Sequence, residues 1–329
     1  MQIKLRGRVQ IVIGKTRIAK TNDVSSDFAI ALGKTVLSGT LGGYGYGSGF
    51  ALPTQVVIVL LNNNAVVTTI STNITKFNDQ ITTNGELTSV TFVGSDATPV
   101  QYTFNQLELY TVVQNTLYLK IATVTLQNPL TKNINDIVNV TWTEEIISSS
   151  SLINFTNTQQ ACSQCSTTCN TSTLSQASNT ASVVNLVWAL LIIPNANTIV
   201  SQISTPLSSY ITQVYTYYLA NNKLPNILGI TNIILTDQCL NVIENASIVS
   251  PIITYGLTGT EAIVSLAVFI TPAQSVYYAL PVFTIQGVLS AFLGIVQVQN
   301  PSQVTAGQIS IILQIPYGSS TLQALNINE

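Results

Sequence analysis

The chain has no histidine, and its 329 residues include only 11 Lys and Arg and 13 Asp and Glu. Charged residues make up 7%, against about 25% in an average soluble protein. Without histidine, the usual general base, the Ser-His and Cys-His nucleophile pairs and the commonest metal ligand are all missing. The scarcity of charge is also uneven. Residues 146–222 and 262–328 contain no Lys, Arg, Asp or Glu, so titrating groups for acid–base chemistry are missing from long stretches. These absences argue against an enzyme. No catalytic residues, cofactor-binding residues, metal ligands or small-molecule substrate are expected.

What replaces charge is the uncharged hydrogen-bonding side chain: Asn, Gln, Ser and Thr account for 124 of the 329 residues. Surface carboxylates protonate at pH 2–4, and ion pairs then cease to contribute, whereas amides and hydroxyls do not titrate there. Such a surface suits an exterior protein in hot acid. The few charges are segregated. Residues 1–22 hold Lys4, Arg6, Arg8, Lys15, Arg17 and Lys20 with no acid, and residues 23–146 hold nine of the acids. The six N-terminal cations form a candidate basic interface. They are expected to face the acids of 23–146 or a partner subunit, with a membrane surface or nucleic acid as the alternatives.

The opening MQIKLRGRVQIVIGK does not read as a signal peptide, because charges interrupt its apolar positions. Mean hydropathy is +0.40, which raises the question of a membrane span. Val183–Ile193 is too short to cross about 30 Å of hydrocarbon. Val276–Val298 is long enough, but Pro281, Gln286, Gly287 and Gly294 interrupt it, and it reads better as two buried strands and a turn. Cys162, Cys165, Cys169 and Cys239 have a spacing that suits no standard zinc or iron–sulfur pattern, and acid opposes thiolate ligation. They are candidate disulfide cysteines, with three connectivities open.

Ile3, Leu5, Val9, Ile11 and Ile13 alternate with Lys4, Arg6, Arg8 and Gln10, which predicts a strand with one buried and one basic face. Further strand-like runs are 55–61, 65–71, 87–93, 101–110, 117–126 and 137–143. Asn62–Asn64, Asn84-Gly85 and Gln127-Asn128-Pro129 separate them as turns. The expected fold class is all-β, with two antiparallel β-sandwich, jelly-roll-like domains. Residues 1–146 form the first domain. Residues 147–175, rich in Ser, Thr and Cys, form a linker or exposed loop. Residues 176–329 form the second domain, with one helical insertion near 205–221, where Leu207, Ile211, Val214 and Tyr218 keep helical spacing. The segments 126–143 and 298–315 share a Gln-Asn-Pro triplet before an alternating strand, a hint of duplication.

Several motifs have bland readings. Gly14-Lys15-Thr16 and Gly33-Lys34-Thr35 lack the glycine five residues earlier that a phosphate loop needs. The run 42–50 is an aromatic–glycine loop outside any βαβ context. Glu144-Glu145 is the only adjacent acidic pair, but neighbours on a strand point to opposite faces and are poorly placed to act together. Of the N-x-S/T sequons at Asn73, Asn139, Asn154, Asn170 and Asn245, Asn154 and Asn170 lie in the Ser/Thr-rich tract and are the candidate glycosylation sites.

In its His-poor, Asn/Thr-rich composition and in the strand endings 126–143 and 298–315, the chain resembles vertex and turret proteins of icosahedral archaeal viruses from hot acidic habitats. The resemblance is diffuse and transfers no individual functional residue. It implies a virion structural protein, a subunit of a capsid vertex, turret, penton base or spike. Such a subunit would be homo-oligomeric, possibly a pentamer, and would contact other capsid proteins. The alternative is a secreted surface filament or adhesin subunit of an acidophilic archaeon at the cell surface, with strand 2–13 donated to a neighbour.

Overall fold

The computed structural model describes residues 2–39, 52–82, 85–149, 181–194, 206–223, 225–248, 252–270, 276–293, 296–297 and 307–319. The N-terminal alternation builds β1 (Gln2–Ile13), whose Ile3, Leu5, Val9, Ile11 and Ile13 are all buried. It is followed by β2 (Thr16–Thr21) and β3 (Asp23–Val24). After helix α1 (Ser26–Ser38) come β4 (Gln55–Asn62), β5 (Ala65–Thr82), β6 (Gly85–Asp96), β7 (Tyr102–Val113), β8 (Thr116–Lys132) and β9 (Val138–Ser149). Pairing is antiparallel throughout, as expected of an all-β fold.

These strands form one ten-stranded sheet in the order β18-β3-β8-β7-β4-β5-β6-β9-β1-β2, where β18 is Gly318–Ser319. The sheet turns over at two places. The first half of β5 pairs with β4 and its second half with β6, so one 18-residue strand serves both layers. At the other side β2 runs through Asn22 directly into β3, which pairs with β8, and the Asn22 N–H donates to Gly7 O (3.1 Å). Asn63 and Asn64 (φ 49° and 65°) turn β4 into β5, and Gln114 and Asn115 (φ 49° and 64°) turn β7 into β8. Both are two-residue left-handed turns that suit strand twist.

Two expectations need correction here. The Gln127-Asn128-Pro129 turn is instead part of β8. Opposite β7, the register jumps from Leu130 to Thr125 between Phe104 and Gln106, so 126–129 bulge without ending the strand. Pro129 has no N–H to donate, and a bulge is where a strand tolerates that. The sequence also suggested a single helix, whereas the described residues contain three. α3 (Pro206–Asn221) is the expected one, and α1 and α2 (Ala181–Ile192) are additional. Every residue from Phe28 to Leu37 of α1 is buried, and so is every residue of α2 from Val183 on. A helix buried all round has no polar face, and amphipathic spacing is what a sequence reading looks for.

The later strands are β10 (Ile227–Thr236), β11 (Val242–Ser247), β12 (Ile252–Leu257), β13 (Glu261–Ile270), β14 (Tyr278–Ile285), β15 (Leu289–Phe292), β16 (Val296–Gln297) and β17 (Gly307–Pro316). They form a sheet of order β11-β10-β14-β15, with β16 also on β14, and a second of order β12-β13-β17. The apolar run that begins at Val276 is therefore a hairpin of strands, as its Gly and Pro suggested. Both sheets pack on α1, which also touches α2 and β8, and one buried cluster runs from β1 to β17.

The ends of α1 explain its position. Ser25 caps the start by accepting from the Asp27 N–H (3.2 Å). Gly39 ends the helix in the left-handed region (φ 69°), where its N–H donates to Thr35 O (3.0 Å). A Cβ on Gly39 would lie 1.9 Å from Ile227 O, and Gly229 approaches the backbone of Ser38 and Gly39 from the other side. Backbone packs on backbone here, joining α1 to β10.

Candidate functional site

Many of the scarce charges lie on the outer face of the ten-stranded sheet or inside it. On β1, even positions face outward, and the register sets Arg6 beside Glu145 and Arg8 beside Thr143 of β9. Arg6 forms an ion pair with Glu145, and Arg8 Nη2 lies 3.9 Å from the same carboxylate. Part of the basic strand therefore faces an acid of the 23–146 segment. Lys4, Lys15 and Arg17 are exposed and Lys20 half-buried, and Arg17 Nη2 donates to Gln10 Oε1 (3.1 Å). The outer face continues across β9 and β6 as hydroxyls and amides, with Thr91 and Thr143 oxygens 3.0 Å apart and Ser95 Oγ donating to Asn139 Oδ1 (2.7 Å).

β1 is paired along all twelve residues with β9 and over its second half with β2. Strand 2–13 therefore pairs within its own sheet and not with a neighbouring chain, which corrects the expectation of a donated strand.

Among the described residues five carboxylates are buried: Asp79, Glu86, Asp96, Glu108 and Glu144. The adjacent acids separate as strand geometry requires, Glu145 outward and Glu144 inward in line with Val138, Val140 and Trp142. Glu144 Oε1 accepts from Trp142 Nε1 (2.6 Å) and from Asn22 Nδ2. Gly7 leaves room for that amide, since a Cβ there would lie 2.4 Å from Asn22 Nδ2. Burial pushes the Glu144 carboxyl up to about 8, with the neighbouring Glu145 adding to the rise and the two donors opposing it.

Asp96, at the far end of β6, goes the other way. Burial alone would raise it. Hydrogen bonds from the Tyr102 hydroxyl, the Thr98 N–H and the Thr98 hydroxyl, together with the Lys132 charge, outweigh burial and hold it below the usual carboxylate range. Lys132 is fully buried and donates to Thr98 O, Val100 O (3.1 Å) and Asn133 O (3.5 Å), so its ammonium pins the β6–β7 loop. Glu108 accepts from Gln106 Nε2 (3.0 Å), Tyr110 OH (2.9 Å) and Lys120 Nζ (3.2 Å). Asn185 of α2 donates to Thr88 Oγ1 (2.7 Å), which donates to Asp79 Oδ1 (2.5 Å), tying α2 to the inner face of β5 and β6.

Asp79, Asp96, Glu108 and Glu144 each accept from donors of their own fold, which is how buried polar groups stabilise a unique arrangement. Among the described residues no group of three or more Cys, Asp or Glu side chains is arranged to hold a metal ion, and no helix is long and apolar enough to cross a membrane. Cys239 is disulfide-bonded, and its partner sulfur lies outside the described residues, as do Cys162, Cys165, Cys169, Asn154, Asn170 and the 42–50 loop. The structural roles of Asn22, Lys132 and Asn185 carried no sequence signal. That of Glu144 did, through its parity with Trp142.

The chain is similar to proteins of archaeal viruses from hot acidic habitats. It is 28% identical over 330 residues to "uncharacterized protein 53" of Sulfolobus islandicus filamentous virus, an alignment covering 98% of this chain and 95% of that one. A shorter alignment, 31% identical over 91 residues, covers 27% of this chain and 32% of "putative transmembrane protein ORF289" of Acidianus filamentous virus 2. No family profile matches the chain, and no solved structure does. The resemblance inferred from composition thus holds at the level of archaeal viruses of hot acid. The relatives are filamentous rather than icosahedral, and no vertex or jelly-roll family is matched.

Proposed function

We propose that this chain is a non-enzymatic structural protein of an archaeal virion, a subunit of a projecting surface or spike assembly built from copies of itself and neighbouring virion proteins. The observation that carries this reading is the nearly full-length similarity to a protein of a filamentous virus of Sulfolobus. A filament lacks fivefold vertices, so a penton-base role has no support from these relatives. The physical chemistry agrees with an exposed position in acid. The surface is amide- and hydroxyl-rich, Glu144 is held as a neutral acid in the core, and a disulfide fixes Cys239. The printed name of the shorter relative favours a second reading, an envelope-associated protein.

The test is mass spectrometry and antibody-gold electron microscopy on purified virions of the virus that encodes the chain. A stoichiometric presence on the particle surface is expected. Presence only in infected-cell lysate would overturn the structural reading, and release by mild detergent alone would favour the envelope reading.

A further inference from the structure

We propose that β12 (Ile252–Leu257) is an interface strand that pairs edge to edge with β12 of a second copy of this chain, joining two three-stranded sheets into one of six strands. This rests on the virion-structural reading for its biological setting but not for its physics.

The exposed edges of the described sheets are unequal. The ten-stranded sheet ends at β2, which carries Arg17 and Lys20 with Lys15 in its turn, and at the two-residue β18. The five-stranded sheet ends at β11, which carries Glu244, and at the short β15 and β16. In the third sheet, β17 lies against β1. Charge or shortness marks the edges of the two larger sheets, devices by which folded proteins avoid edge-to-edge association.

β12 has none of these protections. Its six residues, Ile252-Ile253-Thr254-Tyr255-Gly256-Leu257, include no charge and no proline, and among the described residues it pairs only with β13. Ile252, Tyr255 and Leu257 are each more than half exposed, and so is Ile312 on β17. The strand is held firmly enough to act as a template. Its pairing with β13 is regular over all six residues, and the Tyr255 ring sits 3.6 Å from the Lys34 ammonium of α1. Unpaired backbone donors and acceptors along an apolar edge are satisfied by another strand. A second β12 fits, because an uncharged strand can run antiparallel to itself without opposing like charges, whereas β2 against β2 would face cation to cation. Six residues make a small interface, so pairing in solution is expected to be micromolar or weaker and to gain strength from repetition on a particle.

The test uses the purified full-length chain. Sedimentation at concentrations up to about 1 mM reads association, and backbone amide exchange reads protection of 252–257. Gly256→Lys places a charge on the edge where an added Cβ meets nothing within 4 Å, and Gly259→Lys adds the same charge beyond the strand, also into open space. Both variants are expected to keep the wild-type melting temperature. Wild type and Gly259→Lys should self-associate with concentration-dependent protection of β12, and Gly256→Lys should associate at least ten-fold more weakly. A wild type that stays monomeric, association unaffected by Gly256→Lys, or β12 protection only when another virion protein is added would each overturn the proposal. Failure to find the chain in virions would overturn the functional reading alone, because self-pairing is measured on the isolated chain.

Discussion

Replacing Glu144 by Gln should remove a pH dependence rather than stability. The carboxyl is 3% exposed and accepts from Trp142 and Asn22 on one oxygen, and burial raises it from 4.5 to about 8. The folded chain therefore keeps this proton between pH 4.5 and 8, where the unfolded chain has lost it. A raised carboxyl contributes its full stability below pH 4.5, and that contribution is lost as pH climbs through the interval. Each pH unit costs at most about 1.4 kcal/mol, so the whole interval amounts to something on the order of 4 kcal/mol. At roughly 2.1 cal/mol/K per residue, a chain of 329 residues would lose about 6 °C in Tm between pH 4.5 and 8 from this group. The other charged side chains near the site, Glu145, Arg6 and Arg8, lie on the outer side of the same strands. Gln offers the same oxygen to Trp142 and Asn22 and cannot ionise. Calorimetry at pH 4.5 and pH 8 should show Glu144→Gln within about 1 kcal/mol of wild type in acid and about 6 °C less affected by the alkaline shift. Parallel losses in the two proteins would refute the reasoning.

Two further substitutions test other joints of the fold. Gly39→Ala forces a left-handed residue with its Cβ against Ile227 O and should cost about 3 kcal/mol or more, read as a lowered urea midpoint, while Gly256→Ala, in open space, should be near neutral. An unchanged midpoint for Gly39→Ala would mean that α1 and β10 are not locked there. Lys132→Met removes the donor to Thr98 O and Val100 O and should destabilise by about 1–3 kcal/mol. Amide exchange should quicken in the 97–101 loop, and a neutral effect would show that the ammonium does not hold that loop.

Much of the β architecture was legible because half-buried strands alternate. β1, β4, β6, β7 and β9 lie where the runs were read, within a few residues, and the parity of β9 already separates Glu144 from Glu145. The helices were only partly legible. α3 has a wet face and was found, whereas α1 and α2 are buried along nearly their whole length and expose no such face. The Gln-Asn-Pro triplet misled because a turn and a bulge use the same residues.

The sequence by itself determined the class of surface and the dominant secondary structure: few charges, no imidazole, amides and hydroxyls in their place, strands rather than helices. Those properties add up residue by residue and do not depend on what lies next to what. Tertiary structure decided which cations meet Glu145, which carboxylates are buried, which strands segment 2–13 pairs with, and which edge is left open. Those outcomes depend on register and on contacts between residues more than a hundred positions apart. Arg6 and Glu145, 139 apart in sequence, meet only because β1 and β9 are neighbours in the sheet.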